Sequence, residues 1–193
     1  MEIKQLVQES HQNAVSKGWW DEDRSFGEII VLIHSEVSEA LEDYRNGRSI
    51  TEVWYENKDF KTRLDSPITP DCKPCGIPSE LADICIRVFD ACGKYGWGDR
   101  LEVSATESME RCLKSDGRYN SFPERLNSIH YDLSQAWINY EKGNDRIAMY
   151  CLGHVLNGVR NVAAKYRIDL DQAIVEKMAY NTTRPQRHGG KKI

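Results

Sequence analysis

Apolar residues recur three and four positions apart along almost the whole chain, and alternating patterns are scarce. That periodicity predicts helices and little else. A first helix is expected near 2–16, followed by an aromatic turn, GWWDEDRS, and a second helix over about 26–45. Ser25 stands as its N-cap, with Glu28 three residues on to close a capping box. NGRS ends that helix. Residues 48–78 carry Pro67, Pro70, Pro74 and Pro78 and read as a long loop, with a short helix at 51–60 as the one candidate element inside it. Further helices are expected at about 79–95, 99–114, 123–141, 144–165 and 169–183, with DGRYNSFP as a break. The tail RPQRHGGKKI is basic and glycine-containing, so it is expected to be mobile unless a ligand holds it.

Self-comparison adds an internal repeat. FGEIIVLIHSEVSEALEDYRNG (26–47) aligns without gaps on FPERLNSIHYDLSQAWINYEKG (122–143) at an offset of 96, with eight identities over 22 positions. The next helix pairs at an offset of 71: ELADICIRVFDACGKY (80–95) lies over CLGHVLNGVRNVAAKY (151–166). The difference between the offsets is the Pro-rich stretch. Glu36 and Glu39 become Asp132 and Gln135 in the second copy, and Glu80 and Asp83 become Cys151 and His154. The acids of the first copy are therefore not demanded by helix packing alone.

Those four acids form two i,i+3 pairs, Glu36-x-x-Glu39 and Glu80-x-x-Asp83, each on one face of its helix. Apolar neighbours flank both pairs: Val37 and Leu41 on one, Leu81, Ile84 and Ile86 on the other. If the two helices pack antiparallel, the carboxylates converge on a partly buried spot, where unpaired charge is costly and a cation compensates it. Oxygen-only ligands suit Mg²⁺ or Mn²⁺. A solvated acidic face with Lys or Arg partners is the competing interpretation, and it would suffice for either pair alone.

Bulk properties narrow the setting. The chain has 193 residues, 40% apolar and 29% charged, which suits one ordinary domain or two small halves packed together. A net charge of −4 argues against nucleic acid as the default partner. No apolar run approaches the roughly 20 residues that cross a bilayer, and MEIKQLVQESHQ lacks the apolar stretch of a signal peptide. A cytoplasmic protein with six reduced cysteines is expected, without a membrane partner.

SEVSEALE, GIPSELADICIRVFD and KMAYNTTRPQRHGGKK resemble segments of the MazG-like, all-α nucleoside triphosphate pyrophosphohydrolases. That family carries an E-x-x-E motif, an E-x-x-D motif on the next helix, and then a helix bearing Lys, Asn and Arg. The resemblance implies that Glu36, Glu39, Glu80 and Asp83 are Mg²⁺ ligands (Mn²⁺ would also suit) and form the catalytic set. It implies hydrolysis of a nucleoside triphosphate to the monophosphate and pyrophosphate. Two departures stand out: the long Pro-rich spacer between the motifs and the degenerate second copy. They suggest an all-α helical bundle of two MazG-like units fused as a covalent pseudo-dimer. Residues 1–116 would form the first unit, with the insertion at 48–78, and residues 117–193 the second. Pairing of two such chains into a homodimer is left open.

Lys177, Asn181 and Arg184 stand at i, i+4 and i+7, on one helical face, and offer an ammonium, an amide and a guanidinium to phosphate oxygens. The corresponding helix of the first copy, DRLEVSATESMERC, lacks this set. Metal ligands then survive in one unit and phosphate ligands in the other, as one shared site requires. A cationic helix end favoured by the helix dipole is the plainer alternative. Arg87, one turn beyond Asp83, offers itself to a substrate phosphate or to a neighbouring acid, with the acid favoured. Trp20, with Trp19, offers a surface for base stacking, against plain burial. Arg187, His188, Lys191 and Lys192 form either an arm over the polyphosphate or a solvated tail. Cys72-Lys-Pro-Cys75 is half a zinc ligand set and calls for no zinc. Cys85 and Cys92 sit at core positions, and the recurrence of His34 as His130 marks His34 as a structural or interface residue and not a catalytic one. No phosphate-binding Gly-x-x-x-x-Gly-Lys-Ser/Thr loop is present. The rival classes are a non-catalytic nucleotide-binding or scaffold protein, and a hydrolase of another nucleotide phosphate.

Overall fold

The computed structural model describes residues 2–57, 62–101, 103–104 and 121–190. Six helices carry the fold: α1 (Ile3–Ser16), α2 (Phe26–Arg45), α3 (Ile77–Lys94), α4 (Phe122–Glu141), α5 (Asp145–Tyr166) and α6 (Leu170–Thr183). The protein is all-α apart from one small sheet. Among the described residues, no helix is long and apolar enough to cross a membrane. The boundary expected near residue 116, and most of the helix expected at 99–114, lie outside the described residues.

The core is one apolar cluster to which every helix contributes. α3 sits at its centre. Ile77, Leu81, Ala82, Ile84, Val88, Ala91 and Cys92 are fully or almost fully buried, and α1, α2, α5 and α6 all pack on this helix. α2 and α4 start alike. Ser25 and Ser121 each accept the N3 backbone N–H, and Glu28 and Glu124 return the bond to the cap, so both capping boxes close.

α2 and α4 also pack against each other, and their contacts are reciprocal. Phe26 stacks on Tyr140 with ring centroids 4.3 Å apart, and Tyr44 meets Phe122 at 5.2 Å. Positions 122 and 140 lie 96 beyond 26 and 44, so each helix offers the other the same two rings. Midway, His34 and His130 stack, with their Nδ1 atoms 2.7 Å apart. This is the contact pattern of a two-fold interface, in which a residue meets its own counterpart on the axis.

The insertion departs from expectation. In place of a short helix at 51–60, Trp54–Glu56 forms a strand, β1, flanked antiparallel by β2 (Arg63–Leu64) and β3 (Lys73–Cys75). The run Val53-Trp54-Tyr55 favours a pleated, half-buried surface. The guanidinium groups of Arg48 and Arg63 lie 4.9 and 5.0 Å from the Trp54 ring centre and cover it. Pro74 is tolerated because β3 is an edge strand. Gly76 then turns the chain into α3 at φ +103°, where a Cβ would strike the Glu52 carbonyl.

The histidine pair predicts a pH dependence. Burial lowers the pKa of both rings, and His130 lowers that of His34 further. The folded protein therefore binds fewer protons here than the unfolded chain. This contribution is complete above the ordinary histidine value of 6.5 and is lost as pH falls below it. Thermal unfolding from pH 7.5 to pH 5 should show a smaller drop in midpoint for the His34→Gln/His130→Gln double variant than for the parent. Parallel curves for the two proteins would contradict this assignment.

Candidate functional site

One cleft of about 1200 Å³, counting its open mouth, gathers residues from α1, the aromatic turn, α2, β3, α3, α6 and the tail. α2 contributes Glu36 and Glu39. α3 contributes Glu80, Asp83, Arg87 and Asp90, spaced three, four and three residues apart along a single face. α6 and its C-terminal cap contribute Lys177, Asn181 and Arg184. The aromatic turn brings Trp19 and Arg24, β3 brings Lys73, and the tail brings His188.

At the floor, Glu36, Glu80 and Asp83 each offer an oxygen, and these oxygens lie within 4.8 Å of one another. Glu36 and Glu80 are buried, at 4% and 5% exposure. Burial pushes the Glu36 carboxyl above the usual carboxylate range, against the pull of Arg87. Burial likewise pushes Glu80 up to about 8, with the Lys177 charge opposing and Asp83 and Glu36 adding to the shift. Two cations answer the cluster. Arg87 Nε donates to Glu36 Oε1 at 2.5 Å, and Lys177 Nζ lies 2.8 Å from Asp83 Oδ2. Two cations facing three acids, two of them buried and Asp83 partly so, leave an excess of negative charge, which a proton on Glu80 or a further cation relieves.

Lys177 is 1% exposed, and its three protons are all placed: on Asp83 Oδ2, on Ser79 Oγ at 3.2 Å and on the Pro74 carbonyl at 3.3 Å. Burial alone would lower its pKa, yet Asp83 and Glu80 outweigh that and hold the ammonium above its ordinary value. The sequence assigned Lys177 to phosphate. The structure uses it to anchor the acids and β3.

Three other cations have no such commitment. Arg24 lies over the Trp19 ring at 4.9 Å and Arg184 over Tyr180 at 5.6 Å, while Lys73 reaches the cleft from the insertion. None of the three forms an ion pair with a described residue. Burial lowers the pKa of both Arg24 and Arg184, so each guanidinium is partly stripped of water; acids lie near each, Asp90 for Arg24 and Asp83 for Arg184, but no described residue supplies an ion-paired counter-charge. An anion in the cleft would supply it.

No family model, curated protein or solved structure matches the chain. Its chemistry therefore rests on the residues themselves.

Of the residues singled out by sequence, Glu36, Glu39, Glu80, Asp83, Arg87, Lys177, Asn181 and Arg184 all line the cleft. Glu39 is exposed and stands outside the close trio. Trp20 does not line the cleft. Its Nε1 donates to Asp90 Oδ1 at 2.9 Å, next to His11, and Trp19 takes the place on the wall. The tail is docked: the Arg187 N–H donates to the Lys17 carbonyl at 2.8 Å, its Nε donates to the Gly18 carbonyl, and His188 meets the Trp19 ring. Lys191 and Lys192 lie outside the described residues. Cys72 and Cys75 are buried free thiols.

Sequence reasoning missed Arg24, Lys73 and Asp90. Asp90 was findable, since it continues the face of Glu80, Asp83 and Arg87. Lys73 lay inside the motif whose cysteines drew attention away from it. At the positions of the second copy, Asp132 and His154 face each other at 4.0 Å, and burial pushes Asp132 up to about 6.

Removing Lys177 leaves Asp83 and Glu80 uncompensated in a buried place. Lys177→Met should cost about 3–5 kcal/mol of stability, measured by urea unfolding in the absence of divalent ions. A loss below about 1 kcal/mol, the range of a surface pair, would show that the lysine does not anchor the acids.

Proposed function

We propose that this chain is a Mg²⁺-dependent nucleoside triphosphate pyrophosphohydrolase of the MazG-like kind, built from two fused helical units around one site. One observation carries the reading: a close trio of oxygen donors sits in the same cleft as three cations that form no ion pair with a described residue. A divalent cation bound by acids and an anion bound by Arg and Lys are the two halves of a metal–polyphosphate complex. The reciprocal contacts between α2 and α4 support the fused-unit part of the proposal.

The donor set fits a hard cation. Glu36, Glu80 and Asp83 supply only oxygen, with no thiolate or imidazole among them. When bound, Mg²⁺ would neutralise the trio and polarise phosphate oxygens. Arg24 and Arg184 bind the phosphates and offset charge that develops on them. Lys177 keeps Asp83 in place, and Arg87 does the same for Glu36. Glu39, exposed at the cleft wall and free of the trio, is the candidate to take a proton from water. The oxygen of that water bonds to the α-phosphorus as the α–β anhydride bond breaks, and pyrophosphate leaves.

A second reading has its own observation. Arg87 and Lys177 already pair with two of the acids, which is compatible with a protein that binds a nucleotide without cleaving it.

A panel of ribo- and deoxynucleoside triphosphates with Mg²⁺ separates the two readings. At least one should yield monophosphate and pyrophosphate in equal amounts. Glu36→Gln and Glu80→Gln should each lower turnover by about 100-fold or more while leaving the thermal midpoint close to that of the parent. Nucleotide binding with no product across the panel would favour the second reading, and orthophosphate as the first product would point to a different hydrolase.

A further inference from the structure

β3 is bolted to the helices at one end of the cleft. The Pro74 carbonyl accepts from Ser79 Oγ at 2.8 Å and from Lys177 Nζ at 3.3 Å. On β1, Tyr55 Oη donates to Glu176 on α6 at 2.8 Å. Gly76 leaves no room between the insertion and the start of α3. β1 and β3 therefore form a fixed wall, and among the described residues of the insertion the side chain that lines the cleft is Lys73.

Lys73 differs from the two cations that are bonded to the trio. Arg87 and Lys177 pair with acids. Lys73 forms no ion pair with a described residue, although its charge acts on Glu80, Asp43 and Cys75. It lines both the main cleft and a neighbouring acidic hollow that holds Glu42, Asp43 and Glu56, with Glu39 and Glu80 shared between the two. An ammonium close to acids, yet bonded to none, keeps its donors for an incoming anion.

α3 serves as a ruler. Glu80 and Asp90 are ten residues apart, about 15 Å along the helix. Lys73 lies at the Glu80 end. Arg24 lies toward the other end, where its charged neighbours are Asp90, Arg187, Arg87 and Glu28. The unpaired cations thus flank the acidic trio on two sides, and an extended polyanion bound along α3 would meet both.

Resting on the nucleotide reading above, we infer that the polyphosphate lies along α3 with its terminal phosphate toward β3, where Lys73 binds it. The insertion would then measure phosphate-chain length. A monophosphate held at the trio and at the Arg24 end would leave Lys73 empty-handed, whereas a triphosphate would fill it.

Calorimetric titration tests this with the parent, Lys73→Gln and Lys73→Arg, each in Mg²⁺. The ligands are inorganic tripolyphosphate and the four common nucleoside monophosphates. K73Q should bind tripolyphosphate about tenfold more weakly, the scale of one charge-assisted hydrogen bond. It should keep its affinity for the best-bound monophosphate within about twofold, and K73R should recover most of the loss. Equal tripolyphosphate affinity in K73Q and the parent, or the same loss for both kinds of ligand, would overturn the assignment. A parent protein that binds neither ligand would instead overturn the nucleotide site itself, and the role of Lys73 with it.

Discussion

Three carboxyl groups pressed into one water-poor spot set the terms for the rest of this molecule. Glu36 and Glu80 are almost fully buried, and Asp83 is close enough to share an ion with them. Desolvated acids at that spacing repel, and the fold answers with a lysine that is itself buried and bonds to Asp83, to Ser79 at the start of α3 and to the Pro74 carbonyl of β3. Arg87 answers from the same helix that carries two of the acids. A protein selected only for stability gains little from such an arrangement, because apolar side chains of similar volume would serve as well or better. The expense is intelligible if the cluster has a ligand.

The organisation of the helices explains how the cluster forms. α3 is the central helix, and its inward face supplies apolar residues to the core while the neighbouring face supplies Glu80, Asp83, Arg87 and Asp90 to the cleft. α2 packs on it from the N-terminal side of the chain and α6 from the C-terminal side, so the residues of the cleft arrive from different parts of the chain. The counterpart positions Asp132, Cys151 and His154 show what the same frame holds when the acids are replaced: a half-buried Asp near a His, without a close trio. The contrast ties the cluster to particular residues within a frame that tolerates other ones.

Much of this was legible in the sequence. Helical periodicity located six helices to within about two residues, because each buries a continuous apolar stripe and two begin with capping boxes. The i,i+3 spacing of the acids and the i, i+4, i+7 spacing of Lys177, Asn181 and Arg184 picked out seven residues that line one cleft. What escaped depends on tertiary contact. The strand at Trp54–Glu56 exists because β3 comes back to pair with it, a fact absent from local preference. Trp19 and Trp20 are neighbours of one type, and only packing decides that one faces the cleft while the other bonds to Asp90. The bonds that hold Lys177 in place likewise depend on Ser79 and the Pro74 carbonyl, which its helical spacing does not reveal.

Whether Glu36, Glu80 and Asp83 hold a common ion decides between a metal-dependent site and a self-compensated charge cluster. Anomalous diffraction from crystals grown with Mn²⁺ asks this without reference to turnover. A single strong peak within about 2–2.5 Å of oxygens from all three side chains is the predicted result. A featureless cluster at saturating Mn²⁺, with Arg87 and Lys177 still paired to the acids, would contradict it.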